Sequence, residues 1–251
     1  RALELGSPPF HLTLLLQRAR RYALSLTGST ADGRREIVQT LDSAAYGERH
    51  VMTCHAFDVE RDRFPFPDEQ FDLVTCCEVI EHLTENPVQT LSEIHRVLRP
   101  GGRVLISTPN VTRAGNIANL LQGRNLYDPY HLGAPLRGSR HSREYTLDEL
   151  RDLVAGCGFA IELAEDVDLR HPVRPLRRLM RWVMNRVVGP LLGGHHRAHL
   201  FVRARRTATP FRWYFPDGLF DQGQLAFYQA PRSRTVVMGE PELTEISTSH
   251  V

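Results

Sequence analysis

The feature that most constrains this chain is an alternation, in which short apolar runs each precede a stretch with helical spacing. Such alternation is the mark of a parallel sheet whose strands are joined by crossover helices. Strands are read at Ala2–Leu5, Tyr22–Leu26, Val51–Phe57, Phe71–Cys77, Arg103–Ser107, Phe159–Ala164 and His199–Arg205. Helices are expected near His11–Arg20, over Glu36–Tyr46, and after Asn86-Pro87, where Asn is the N-cap and Pro opens the first turn. Val88, Leu91, Ile94 and Leu98 give that last helix a buried face, and Pro100-Gly101-Gly102 ends it. Thr146-Leu147-Asp148-Glu149 is a capping box opening a helix through Val154. The stretch from Thr108 to Arg143 has no strong periodicity, and a basic helix is expected over Pro175–Val188.

A chain of 251 residues, 41% of them apolar, can bury one substantial core and carry an appended segment. The expected division is a domain over residues 1–205, with a lid-like insertion at 111–145, and a partly disordered extension over 206–251. No apolar run is long enough to span a bilayer. The sequence opens at Arg1 with no visible signal peptide and is read as a fragment of a cytoplasmic protein. A net charge of +2 does not build a nucleic-acid surface, so no nucleic-acid partner is expected. All the basic residues are arginine, which suits carboxylate or phosphate recognition but is read first as a mark of genome composition. Cys54, Cys76, Cys77 and Cys157 lack metal-ligand spacing and read as reduced thiols.

Open parallel sheets bind their ligands outside the carboxyl ends of the strands. That edge here carries Glu4-Leu5-Gly6, Asp58, and Cys77-Glu78-Val79-Ile80-Glu81-His82-Leu83. Around it stand five blocks in order: Phe64-Pro-Phe-Pro-Asp68, Phe71-Asp-Leu-Val74, Glu78-Val-Ile-Glu-His-Leu83, Arg96-Val-Leu-Arg-Pro-Gly-Gly102 and Ile106-Ser-Thr-Pro-Asn110. In these blocks the chain resembles the class I S-adenosylmethionine-dependent methyltransferases, in their type 11, small-molecule branch. The resemblance is sharpest from Asp58 to Asn110 and weaker over the rest of residues 1–205.

The resemblance implies an α/β, doubly wound, Rossmann-like fold with a seven-stranded, mostly parallel sheet whose strand seven is antiparallel. It implies S-adenosyl-L-methionine as cofactor and a small-molecule acceptor as partner. Glu4 then orients the methionine part, Gly6 lets the backbone approach it, and Asp58 sits by the adenine amino group. Ser7, Thr27, Val59, Cys77 and Glu78 complete the expected cofactor contacts, and Glu78 and His82 flank the sulfonium and the acceptor. His82 is the candidate catalytic base, against the plain reading of a structural histidine at a helix start. Two positions depart from the family: Pro8 and Phe10 stand where its loop has glycines, and Leu26-Thr27-Gly28 lacks its ribose-binding acid.

The expected activity is methyl transfer to a hydroxyl of a sugar, lipid or natural product. The alternative is a degenerate fold serving as a non-catalytic binding or scaffold subunit. The segment Tyr127–Tyr145, with His131, Arg137, Arg140, His141 and Arg143, reads as a substrate lid. The basic helix, with Arg174, Arg177, Arg178, Arg181 and Arg186 opposite an apolar face, reads as packing on the sheet. Peripheral membrane contact through residues 174–188 is its second reading. His195, His196 and His199 have no carboxylate or thiol near them in sequence, so no metal is expected.

Overall fold

A computed structural model describes residues 1–8, 10–18, 23–28, 35–43, 47–128, 140–168, 182–183, 186–187 and 194–225. In chain order they form β1 (Ala2–Leu5), α1 (His11–Arg18), β2 (Leu24–Gly28), β3 (Glu36–Ser43), β4 (Glu48–Ala56) and β5 (Phe71–Cys77). A single 3-10 turn (Ile80–His82) follows, then α2 (Pro87–Val97), β6 (Leu98–Pro109), α3 (Ala114–Leu121), α4 (Leu147–Gly156), β7 (Phe159–Val167) and β8 (His199–Arg206). The sheet order is β3-β4-β2-β1-β5-β6-β8-β7. From β4 to β6 neighbouring strands are parallel, whereas β8 runs antiparallel to both β6 and β7. The chain starts in the middle of the sheet and winds out first one way, then the other. That reversal between β1 and β5 is the topological switch point where such sheets bind ligands.

The doubly wound architecture and the antiparallel penultimate strand agree with expectation, but among the described residues the sheet has eight strands, not seven. The additional one is β3, which replaces the helix expected over Glu36–Tyr46 and pairs antiparallel with β4 from Glu36↔His55 to Ser43↔Glu48. The physical reason lies in Ile37 and Leu41. Four residues apart, they satisfy the helical period and the strand period equally well. Ile37, Val38 and Thr40 are β-branched and favour the pleated conformation, and the free edge of β4 supplies the partner. Leu41 packs against the buried cluster of Phe10, Leu26, Met52 and Cys54.

Two helices begin at the caps read from the sequence. The Asn86 side chain accepts from the Val88 amide at 2.9 Å, with Pro87 opening α2. On α4, Thr146 and Glu149 form the reciprocal capping box, at 3.2 and 2.8 Å. Val88, Leu91, Ile94 and Val97 of α2 and Leu150, Leu153 and Val154 of α4 are fully buried, each contributing about 1.5–3 kcal/mol of apolar burial. The stretch read as aperiodic contains α3, whose N-cap position, Arg113, makes no side-chain cap; without a cap signal a two-turn helix is hard to read. The expected basic helix lies outside the described residues except for Trp182, Val183, Arg186 and Val187, as do residues 129–139 of the expected lid. No helix among the described residues is long and apolar enough to cross a membrane.

The chain divides into a compact unit of residues 1–214 and a second unit from Phe215 onward. Within the first unit, the residues after β8 close back at Gly156, where a Cβ would stand 1.9 Å from the Tyr214 ring. The Tyr214 hydroxyl completes the contact by donating to Asp152 at 2.9 Å. Beside it His95 of α2 is 4% exposed and packed edge-on against Phe159 and Phe211, with ring centroids 5.3 and 5.5 Å away.

Burial, helped by the nearby Arg206 charge, pushes the His95 imidazole down to about 4 from 6.5. The unfolded chain therefore takes up a proton below about pH 6.5 that the native state refuses until about pH 4. Stability from this residue is full at neutral pH and is lost as the pH falls through that window, by roughly 1–3 kcal/mol. Urea unfolding of wild type and His95→Phe at pH 7 and pH 4.5 checks this. The variant is expected to show the smaller loss on acidification, and an equal loss in both would place the acid sensitivity elsewhere.

Candidate functional site

The carboxyl end of β1 turns sharply at Gly6, whose φ of +67° lies in the left-handed region, and a Cβ there would stand 2.6 Å from the Val79 Cγ2. Only glycine permits that approach without displacing Val79. The turn is held by the end of β2. The Gly6 amide donates to the Thr27 hydroxyl at 3.1 Å, and the Ser7 amide donates to the Thr27 carbonyl at 2.9 Å. In return the Thr27 amide donates to the Ser7 hydroxyl oxygen at 3.0 Å, and that hydroxyl donates to the Glu4 carbonyl at 3.0 Å. Four of the expected cofactor residues, Glu4, Gly6, Ser7 and Thr27, are thus one bonded unit.

The Glu4 side chain is buried, and its Oε2 accepts from the Thr13 hydroxyl of α1 at 2.6 Å. No cation pairs with it among the described residues, and burial raises its carboxyl above the ordinary value against the Thr13 hydrogen bonds. Across the switch point, Cys77 ends β5 with its thiol pushed up to about 11 by burial. Glu78 follows at a φ of +54°. Its Oε1 accepts from the Ser107 hydroxyl at 2.8 Å and lies 3.7 Å from His199 Nδ1. Burial would raise the Glu78 carboxyl, but those two neighbours more than offset it and hold the carboxyl below its ordinary range.

Asp58 stands apart from this group, exposed in the turn after β4. Its Oδ1 accepts from the Glu60 amide at 2.9 Å, while its own amide donates to Asp62 at 2.8 Å. The Val59 carbonyl accepts from the Thr90 hydroxyl at 2.9 Å. Glu60 accepts from the Thr84 amide and hydroxyl at 3.0 and 3.1 Å, from Asn86 at 2.7 Å, and from the Glu85 amide. This one carboxylate ties the turn after β4 to the loop that precedes α2.

His82 Nδ1 donates to the Arg140 carbonyl, 3.1 Å away, and its ring meets His141 edge-on at 5.0 Å. The Ser142 and Arg143 amides donate to the Glu81 carbonyl at 2.7 and 3.2 Å. His141 Nδ1 lies 3.0 Å from Glu144 Oε1, and Glu144 is in turn held by Arg113 and, at 3.2 Å, by Asn116. Residues 140–146 are therefore stitched to the turn after β5. Sequence reasoning passed over Glu81, Ser107, Thr13 and His199 as site residues. The first two sit inside the blocks already quoted, and Glu81 is one residue from His82. The carboxylates judged absent from the histidine cluster arrive by folding: Asp166 meets His195 at 3.1 Å and Glu78 approaches His199.

Comparison with known proteins shows what this edge resembles. Residues 6–106 match the family described as Methyltransferase domain. A probable S-adenosylmethionine-dependent methyltransferase of Mycolicibacterium smegmatis is 39% identical over 98 residues, covering 39% of this chain and 32% of that protein. The ubiquinone biosynthesis O-methyltransferase of Pseudomonas syringae pv. tomato is 33% identical over 122 residues, covering 43% of this chain and 51% of that one. The chain thus spans between a third and a half of the curated relatives it matches. The solved structure of an S-adenosylmethionine-dependent methyltransferase from Methanosarcina mazei superposes with a TM-score of 0.50 at 14% identity, covering 83% of this chain and 92% of that one, which shows the shared fold.

Within the matched residues, the position of Phe10 has a physical account. Phe10 keeps a φ of +67° although glycine is gone, and its ring is 4% exposed in the cluster with Leu26, Met52 and Cys54. The left-handed backbone costs about 1–2 kcal/mol for a residue with a Cβ, and burial of the ring returns more than that. Phe10→Ala keeps the strain and loses roughly 3–5 kcal/mol of packing. Phe10→Gly loses the same packing but relieves the strain. The glycine variant is expected to be the more stable of the two in urea, by about 1 kcal/mol, reversing the usual penalty for glycine. A less stable glycine variant would mean that the loop is not left-handed in solution.

Proposed function

We propose that this chain is an S-adenosylmethionine-dependent methyltransferase that methylates a hydroxyl of a small molecule. The observation that carries the reading is the clasped turn at Gly6 with buried Glu4 beneath it. Gly6 can make its left-handed turn against Val79 only because it lacks a Cβ, and Glu4 is a buried carboxylate with no cation of its own among the described residues. The cofactor's methionine part carries the positive charge such a group would pair with. The residues present therefore fit the cofactor at the β1 end, with Glu4 holding the methionine moiety and Gly6 and Ser7 lining its path.

The cofactor, when bound, supplies an already activated methyl group. What remains for the protein is to hold an acceptor in line and exclude competing nucleophiles. Glu78, fixed by Ser107, and His82, fixed by the Arg140 carbonyl, stand on the β5 side of that edge. They are suited to position an acceptor rather than to bind the cofactor's adenosine. An O-methyl transfer is favoured by the similarity to the Pseudomonas ubiquinone biosynthesis O-methyltransferase; a sugar, lipid or natural-product hydroxyl fits the same edge. The rival reading, a binding subunit without catalysis, draws on Thr27. Its hydroxyl and its main chain are all engaged by the turn, at the strand end where the ribose acid of the family is missing.

Calorimetric titration with S-adenosylmethionine and S-adenosylhomocysteine separates the readings. Binding is expected with a rise in melting temperature, since a ligand selective for the folded state stabilises it. Glu4→Gln should weaken that binding about 5- to 100-fold, the loss of one charge-assisted hydrogen bond. No thermal shift at millimolar ligand would end the cofactor reading. Binding without turnover of any hydroxyl acceptor would favour the non-catalytic one.

A further inference from the structure

We infer that Glu81, His82 and His141 form a binding site for a divalent first-row cation such as Zn2+ or Co2+. One donor atom from each of the three lies within 4.8 Å of the other two. The site goes beyond methyl transfer and does not rest on it.

The argument begins with Glu81. Its side chain is 1% exposed, and Oε2 accepts from the Thr108 hydroxyl at 2.9 Å. Oε1 is equally buried and has no hydrogen-bond partner. A buried carboxylate oxygen left without a donor is costly, and a cation beside it would remove that cost. What lies opposite it is His82 Nε2, 3.8 Å away.

The tautomers sharpen the point. His82 Nδ1 is at the Arg140 carbonyl, 3.1 Å away, which can only accept, so Nδ1 carries the hydrogen. Nε2 of the neutral ring is then a lone pair facing a carboxylate oxygen. Two acceptors face each other across a gap that a cation fills. His141 is arranged alike: its Nδ1 meets Glu144 Oε1 at 3.0 Å, leaving its other nitrogen as the donor to a metal. Metal-binding histidines characteristically direct the second ring nitrogen to a carboxylate or a backbone carbonyl, and here one does each. Arg113 and Asn116 hold Glu144 in turn, and Thr108 orients Glu81.

Two imidazoles and one carboxylate suit zinc, cobalt or manganese better than calcium, which prefers oxygen donors. Three protein ligands leave one position of a tetrahedral set open. Glu81 and His82 belong to the turn after β5, whereas His141 comes from the segment before α4. A bound cation would therefore fasten residues 140–146 to the β5 end of the sheet, reinforcing the amide bonds from Ser142 and Arg143 to the Glu81 carbonyl.

The test is titration of the whole chain with Co2+, followed by its visible d–d absorption, and with Zn2+ by calorimetry. One equivalent is expected to bind, with a rise in melting temperature. His141→Ala should weaken binding by at least about tenfold, and Glu144→Gln, which leaves all three ligands in place, by about 10- to 100-fold. His196→Ala, outside the cluster, should change nothing. His141 is part-exposed, so its loss is expected to leave the far-UV spectrum intact; should that spectrum change, Glu144→Gln carries the test. Absence of binding at millimolar metal would overturn the assignment. Binding that neither His141→Ala nor Glu144→Gln alters would do so too, as an adventitious ion held elsewhere.

Discussion

The clasp between the ends of β1 and β2 is the constraint on which the rest of the candidate site depends. Parallel neighbours need not end together, and nothing in the β1–β2 ladder fixes what the chain does after Leu5. The Thr27 hydroxyl, amide and carbonyl do so, by taking up the Gly6 and Ser7 amides and the Ser7 hydroxyl oxygen. Each bond contributes about 1 kcal/mol net, but leaving any of these buried groups unmade costs more. The left-handed Gly6, its contact with Val79 and the start of α1 all follow from that exchange. Glu4 then has its place set by Thr13, one turn into the helix that the clasp directs.

The opposite side of the edge is built on a different device, in which single carboxylates gather loops that are far apart in sequence. Glu60 takes the amides of Thr84, Glu85 and Asn86. Glu144 gathers Arg113, Asn116 and His141. Glu93 accepts the Phe64 amide at 2.8 Å while pairing with Arg96, whose guanidinium also reaches the Phe64 and Phe66 carbonyls. A carboxylate offers several acceptor sites in one place, and loops have unpaired amides to offer. The strand ends are thereby held without lengthening the strands.

Much of this was legible in the chain. The caps at Asn86 and Thr146, the order of the crossover units, and the strands around Phe71 and His199 depend on short-range chemistry that neighbouring residues fully specify. Glu36–Ser43 was not legible, because Ile37 and Leu41 serve both periods and the decision fell to the free edge of β4. α3 lacked a cap to announce it. Of the site residues, the Glu4–Gly6–Ser7–Thr27 group proved to be one bonded unit, whereas Asp58 is engaged by its own turn. Glu81 was passed over, since nothing in Val79-Ile80-Glu81-His82 says which of the polar groups will be buried.

By itself the sequence determined the alternation of strands and crossover helices, the glycine that permits a close approach at the end of β1, and the run of polar residues after β5. Those are properties of spacing and of single residues, and they survive whatever packs around them. Only the tertiary structure decided that β3 would be a strand, that Phe10 would hold a left-handed backbone in exchange for a buried ring, and that Glu81 would face His82 and His141. Each of these rests on a partner distant in the chain: β4 for the first, Leu26 and Met52 for the second, and the segment after Arg140 for the third. A residue's own chemistry limits what it can do, but burial and the neighbours that folding supplies decide which of those things it does.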